Sequence, residues 1–230
     1  MKPQILELFP LTIFSDQILM SESERKKIIQ HILNVEKKTE NIKKSEDDAW
    51  VGDRKGDEFL LKKKIMHNLA NLIGDKIRLY IDLLNIDKNK IQIFLQRSWA
   101  TVTRNKENIK LHSHDQSNIS FAYYPLKPKK SGHISFFCQN HPNEIANGLF
   151  HQDALNLGIL NNITQRNAQT IDVNVQEGCI VIFPSKTKHY TKPNFSNEPR
   201  ISISGDVSIV LNDSFGFEKF MPHFQNWQIL

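Results

Sequence analysis

The chain has only two cysteines in 230 residues, Cys138 and Cys179, and no second cysteine stands near either. That excludes a disulfide framework and a cysteine-based zinc motif. Both lie in apolar runs, "ISFFCQ" and "GCIVIF", where a cysteine behaves as a small buried hydrophobe. Long hydrophobic runs are also missing. The opening "MKPQILELFPLTIFSDQ" breaks its apolar residues with acids and Pro3, unlike a signal peptide or a membrane helix. The expected location is the cytoplasm. No repeat is visible, and no paired-carboxylate or nucleophile motif appears, so general acid–base or covalent chemistry by side chains lacks its residues. Charge is not of one sign: 30 Lys+Arg face 25 Asp+Glu, for a net +5. Much of the lysine sits in mixed-sign runs such as "EKKTENIKKSEDD", which read as solvated faces or loops. Nucleic acid is therefore not the expected partner, despite a pI near 9.1.

What is present describes one domain. At 39% hydrophobic and mean hydropathy -0.44, a chain of this length buries a substantial core. Residues 4–14 read as a strand broken by Pro10. Ser21 and Glu24 form a capping-box pattern that opens a helix over 22–37, with Ile28, Ile29 and Ile32 on its buried side. A polar connector, 37–56, follows, with Trp50 expected to pack beneath it. Leu61, Ile65, Leu69, Leu72, Ile73, Ile77, Tyr80 and Leu84 recur at steps of three and four, which predicts one long helix over 57–84. From residue 90 the pattern alternates, and strands are expected over 90–104, 118–124, 132–138, 170–175, 179–184 and 200–210. Helices followed by short antiparallel strands imply a sandwich or barrel with the helices packed on one face. The organisation expected is an N-terminal strand with supporting helices over 1–89, a β core over 90–210, and a C-terminal extension over 211–230. The last residues, "FMPHFQNWQIL", are apolar enough to dock on the domain or on a second subunit.

Chemistry concentrates in "LHSHDQSNIS", residues 111–120. On a strand, positions i and i+2 share a face, so His112 and His114 aim together while Ser113 turns away. Two ligands do not close a metal site, and the third is expected from "EGCIVIFPSKTKHYTKPNFSNEPRISISGDV", where His189 follows a strand ending in Pro184. Eleven residues beyond it stands Arg200. A hairpin would return such a residue to the side of His189. A metal on His189 and a guanidinium deeper in the barrel would then grip the two ends of one small dicarboxylate.

These residues resemble Fe(II)/2-oxoglutarate dioxygenases of the prolyl-hydroxylase-like superfamily, and within it a branch from marine bacteria and phages. The resemblance is carried by "LFPLTIF", "SWATVTR", "HSHDQSNISFAYYP", "EGCIVIFPSKTKHY" and "EPRISIS" in that order. It implies a mostly β, α+β fold: a double-stranded β-helix (jelly-roll, cupin-like) core with helices packed on one sheet. It also implies Fe(II) as cofactor and 2-oxoglutarate as cosubstrate, with O₂ and 2-oxoglutarate converted to succinate and CO₂ while a substrate C–H is hydroxylated. By resemblance, His112 and His189 are metal ligands, Arg200 binds the 2-oxoglutarate tail carboxylate, and Ser202 and Tyr124 assist it. The family places an acid at the middle ligand position. Here His114 holds i+2 and Asp115 comes one residue later. Strand parity favours His114 and a three-histidine set, whereas a bulge would admit Asp115.

Two other readings stay open. One is a cupin-like three-histidine metalloprotein, a cosubstrate-independent dioxygenase or isomerase, and the other is a non-catalytic ligand-binding barrel. His133 and His141 are expected outside the site, and His31, His67, His151 and His223 have no partner in the pattern. Trp99 and Phe121 are pocket walls or packing; Arg104 and Asn105 touch cosubstrate or face solvent. The loop 139–169 is long enough to overhang the barrel mouth and carry selectivity. The substrate itself, whether a protein side chain, an amino acid or a small metabolite, is not readable.

Overall fold

The computed structural model describes residues 3–39 and 49–230. Helix α1, Glu22–Lys38, begins where the cap predicts, with the Ser21 hydroxyl accepting the Glu24 N–H at 3.2 Å. The capping box does not close. Asn68 Nδ2 donates to the Glu24 carboxylate at 2.9 Å, tying the start of α1 to the second helix. Ile28 and Ile32 are buried, while Ile29 is only half-buried. Most of the connector, residues 40–48, lies outside the described residues. Trp50 at its far end is buried and donates Nε1–H to Thr39 Oγ1 at 2.9 Å, so it packs as expected.

The long helix expected over 57–84 is shorter. Helix α2 spans His67–Leu83, and the residues before it form two single 3₁₀ turns, Leu60–Lys62 and Lys64–Met66. Tertiary pairing overrides the helical period here. The Ser98 N–H donates to the Glu58 carbonyl at 2.8 Å, and the Leu61 N–H donates to Ser98 Oγ at 2.9 Å. A strand neighbour therefore claims the backbone that a helix would have used. The N-terminal expectation is corrected likewise. Strand β1 is Phe14–Gln17, and residues 3–13 carry no regular structure. A ladder needs a partner, and only Phe14–Gln17 lies against a strand, opposite Ile182–Cys179.

The remaining strands are β2 (Trp50–Val51), β3 (Ile91–Thr103), β4 (Ile119–Leu126), β5 (Ile134–Phe137), β6 (Thr170–Val173), β7 (Cys179–Pro184), β8 (His189–Thr191) and β9 (Arg200–Leu211). They form a six-stranded antiparallel sheet, β1-β7-β4-β9-β3-β2, and a three-stranded one, β6-β5-β8. This is the expected mostly β architecture with helices on one sheet. Residue parity sorts the large sheet into two faces. Ile119, Phe121, Tyr123, Ile180, Ile182, Ile201 and Ile203 pack beneath α1 and α2. Ala122, Tyr124, Val181 and Phe183 face the small sheet, where they meet Ile134 and Phe136. With both faces covered, "CIVIFP" is apolar at every position rather than alternating.

One expectation about connectivity fails. His189 and Arg200 are not side by side on a hairpin: β8 pairs with β5 in the small sheet, whereas β9 pairs with β3 and β4 in the large one. The contact across the barrel runs from Arg200 to Thr191, two residues beyond His189, where Nη2 donates to Thr191 Oγ1 at 2.8 Å. At the other end of the chain, Phe224 packs edge-on against Phe94 at 4.8 Å and His223 bonds Gln92 at 2.8 Å. The C-terminal extension thus docks, in this part, on its own domain. No helix among the described residues is long and apolar enough to cross a membrane.

Candidate metal centre

Three backbone hydrogen bonds bring the histidines together. The His112 N–H donates to the His189 carbonyl at 3.0 Å, the His189 N–H returns to His112 at 2.9 Å, and the His114 N–H donates to Ser185 at 3.0 Å. Residues 112–114 are therefore not part of a regular strand; His112 makes one isolated bridge to His189. The segment is extended enough to keep His112 and His114 on one side. One ring nitrogen from each of His112, His114 and His189 lies within 4.8 Å of the others.

The Nδ1 atoms explain which nitrogens converge. Nδ1 of His112 bonds the Lys110 carbonyl at 2.8 Å, that of His189 the Thr187 carbonyl at 2.9 Å, and that of His114 Asp206 Oδ1 at 2.6 Å. An acceptor at Nδ1 fixes the proton there and leaves Nε2 with its lone pair. Burial pushes the His189 pKa down to about 3, with His112 as the next cause, and burial also lowers His112. Neutral imidazoles are what a divalent metal requires. Asp115 stands outside the group: it is exposed and takes a hydrogen bond from Ser113 Oγ at 3.1 Å.

The wall behind the histidines is aromatic and charged. The Trp99 ring stacks on His114 at 5.7 Å, and the Arg97 guanidinium lies 4.8 Å over Trp99. Phe121 reaches the cavity but belongs to the cluster beneath the helices.

A cavity of about 740 Å³ runs from the histidines past Tyr124, Thr191, Ser202 and Ser204. Arg200 stands behind that wall and is 2% exposed. Its terminal nitrogens donate to the carbonyls of Ser131 (2.5 Å) and Lys192 (3.2 Å) and to the hydroxyls of Thr191 (2.8 Å) and Thr103 (3.3 Å). All four acceptors are neutral, and no carboxylate pairs with it among the described residues. A buried cation without an anion is costly. Burial raises the Tyr124 hydroxyl to about 12, with Arg200 opposing that rise.

Several expected contributors lie elsewhere. No residue of the 139–169 loop lines the cavity. That loop instead meets the N-terminal segment, through an Arg166–Glu7 pair at 2.8 Å. Ala49, Val51, Asp53 and Arg54 and residues 108–116 line the cavity. Arg104 pairs with Glu36 at 2.8 Å, and Asn105 donates to the Ser196 carbonyl at 3.2 Å; neither reaches the cavity. One residue escaped the sequence reading altogether. Asp206 is fully buried behind His114. Burial pushes its carboxyl up, but the hydrogen bonds and charges of His114 and Arg97 outweigh this and hold it below the ordinary range. Its signal was parity: Arg200, Ser202, Ser204 and Asp206 alternate along "RISISGDV" and share one strand face.

Comparison with known proteins agrees with this geometry. Residues 97–206 match the family model described as "Putative 2OG-Fe(II) oxygenase". That segment contains the three histidines, Arg97, Tyr124, Arg200, Ser202 and Asp206. No curated protein sequence matches the chain. Among solved structures, HygX from Streptomyces hygroscopicus, with nickel and 2-oxoglutarate bound, is 11% identical with a TM-score of 0.53 over 86% of this chain and 83% of its own. The non-heme alpha ketoglutarate dependent carbocyclase SnoK from nogalamycin biosynthesis is 12% identical, with a TM-score of 0.54 over 92% of this chain and 87% of its own. A prolyl-4-hydroxylase from Pseudomonas putida is 12% identical, with a TM-score of 0.51 over 86% of this chain and 92% of its own. These likenesses establish the double-stranded β-helix fold.

Proposed function

We propose that the protein, whose residues 97–206 match the model of the family described as putative 2OG-Fe(II) oxygenase, is a hydroxylase holding Fe(II) on His112, His114 and His189. Arg200, with Tyr124 and Ser202, would take the tail carboxylate of 2-oxoglutarate. Bound Fe(II) and 2-oxoglutarate supply the oxidising power: one O₂ is consumed, 2-oxoglutarate leaves as succinate and CO₂, and a substrate C–H becomes C–OH. Everything else is the work of this chain. The three Nδ1 acceptors hold the imidazoles in the tautomer that presents Nε2. Trp99 and Phe183, which line the cavity, keep water from the ligand end. The Nη2 partners of Arg200 are hydroxyls, of Thr191 and Thr103; both can rotate to admit a carboxylate beside Tyr124. Residues 1–89 act as the support of this core, which works in the cytoplasm on an amino acid, a protein side chain or a small metabolite.

The observation that carries this reading is the placement of two complementary groups about one cavity. Three ring nitrogens converge at one end, as a divalent metal needs, and behind the wall at the other stands a buried arginine whose hydrogen-bond partners are all neutral. A cosubstrate-independent cupin would leave Arg200 unexplained, because nothing in that chemistry requires a buried cation there. The test is anaerobic addition of Fe(II) and then 2-oxoglutarate, followed in the visible region. A charge-transfer band of the chelated keto acid is expected. Metal binding without the band would favour the cupin reading, and no metal binding would leave only a ligand-binding barrel.

A further inference from the structure

The three-histidine set creates an electrostatic problem. A set with one carboxylate ligand cancels half the charge of a divalent ion, whereas three neutral imidazoles cancel none. Buried in a barrel, that extra charge disfavours metal binding. The missing carboxylate is present one hydrogen bond away.

Asp206 is 0% exposed. Its Oδ1 accepts from His114 Nδ1 at 2.6 Å, from Ser120 Oγ at 3.1 Å and from Ser117 Oγ at 3.3 Å. Its Oδ2 accepts from Arg97 Nε at 2.8 Å, and the two residues are directly opposite each other on β3 and β9. Arg97 does not simply neutralise it. The same guanidinium reaches Asp53 Oδ2, in the cavity lining, at 3.3 Å. Asp53, Arg97 and Asp206 together therefore carry a single net negative charge, delivered to the back of His114. The contrast within the site is direct: His112 and His189 lean on neutral backbone carbonyls, and only His114 leans on a carboxylate. His114 also occupies the middle position, where the acid would otherwise stand.

We infer that Asp206 is a positioning residue that supplies the metal centre's negative charge through His114, in place of a carboxylate bound to the ion. The inference rests on the metal reading above. A carboxylate accepting Nδ1–H makes the imidazole a stronger donor at Nε2 and fixes its ring, and loss of such a partner typically lowers metal affinity by about ten- to a hundred-fold. The rival role is structural: Asp206 would merely hold Arg97 and clamp β3 to β9.

The two roles separate by measuring Co(II) affinity calorimetrically, with the visible Co(II) bands as a second readout. Asp206→Asn keeps the shape and removes the charge; it is expected to weaken Co(II) binding by about ten- to a hundred-fold and to shift the bands. Arg97→Leu breaks the clamp but leaves Asp206 on His114, and is expected to bind Co(II) as tightly as wild type or more tightly. Equal binding by Asp206→Asn and wild type would overturn the inference while the metal reading stands. So would an Arg97→Leu loss as large as that of Asp206→Asn. Failure of the wild type to bind Co(II) would overturn the metal reading and this inference with it. A third measurement needs no variant. In ¹H–¹⁵N spectra of the Zn(II)-loaded wild type, the His114 Nδ1–H should lie far downfield of those of His112 and His189. Three similar Nδ1–H resonances would overturn the inference.

Discussion

The two ends of the cavity solve opposite problems with different materials. At the histidine end the ligands are held by three acceptors, one of them the carboxylate of Asp206. At the arginine end a full positive charge sits behind Thr191 and Tyr124 with only carbonyls and hydroxyls around it. The first end offers converging ring nitrogens, the second a buried cation with no carboxylate partner among the described residues. One face of β9 connects them, running from Arg200 through Ser202 and Ser204 to Asp206. The strand that places the arginine also places the carboxylate behind the metal ligand. Preorganised charge of this kind is held by the fold before any ligand arrives, so it need not be assembled during binding.

Breaking the first end should have the largest effect. His189→Ala removes the most deeply buried of the three ligands and a backbone-bridged neighbour of His112. Co(II) binding is expected to fall below detection, and no 2-oxoglutarate band can then form. Breaking the second end should spare the metal. Arg200→Ala is expected to leave Co(II) affinity near that of wild type while 2-oxoglutarate affinity falls by roughly 30-fold or more, the ~2–5 kcal/mol lost when one partner of a buried charge pair is truncated. It will also destabilise the fold, because the Ser131 and Lys192 carbonyls lose their donor, at about 1–3 kcal/mol each. If Arg200→Ala removed metal binding as well, the two ends would be one cooperative unit and the comparison would fail.

A sharper cut is available at Gly132. Its φ is +76°, and a Cβ there would stand 2.2 Å from the Lys192 carbonyl oxygen. That oxygen and the neighbouring Ser131 carbonyl are the two backbone acceptors of Arg200. Gly132→Ala must therefore push apart the collar around the guanidinium, besides a left-handed penalty of about 1–2 kcal/mol. The expected result is a lowered melting temperature and weaker 2-oxoglutarate binding, with Co(II) affinity retained. Titrations of the two ligands on one preparation would check it, and an unchanged 2-oxoglutarate affinity would mean that the collar does not position Arg200.

How much of this was legible varied by the kind of information each feature needs. The α1 cap, the strand periods and the His112–His114 pair depend on spacings of a few residues, which the sequence shows directly, whereas His189 was found through the resemblance. The start of α2 and the length of β1 depend on which backbone finds a partner in the sheet, as the Glu58–Ser98 and Phe14–Ile182 contacts show, and periodicity carries no trace of that. The link between His189 and Arg200 was anticipated with the wrong geometry: they lie on strands of two different sheets rather than along a hairpin. Loop length misled about the cavity, because the 139–169 segment turns toward the N-terminal residues while Ala49, Val51, Asp53, Arg54 and residues 108–116 line it. Asp206 was missed because parity puts it on the face of Arg200 but carries no trace of the histidine it supports, 92 residues away.

The smallest expected effect bears on the residue that competed with His114. Asp115 is adjacent in sequence, is an acid and fits the family's usual ligand chemistry, so sequence alone keeps it in contention. Its carboxylate is exposed and engaged with Ser113 Oγ at 3.1 Å, while His114 Nδ1 is anchored to Asp206 and its ring is stacked on Trp99. The His114 N–H is bonded to the Ser185 carbonyl at 3.0 Å, which holds this segment with His114 among the converging histidines and Asp115 outside them. Asp115→Ala should therefore change Co(II) affinity by less than about twofold, as expected for an exposed side chain away from any buried partner. His114→Ala should instead lose it. If the two variants exchanged these outcomes, the acid would be the ligand, and the contrast between a histidine end charged only through Asp206 and an arginine end awaiting its anion would no longer hold.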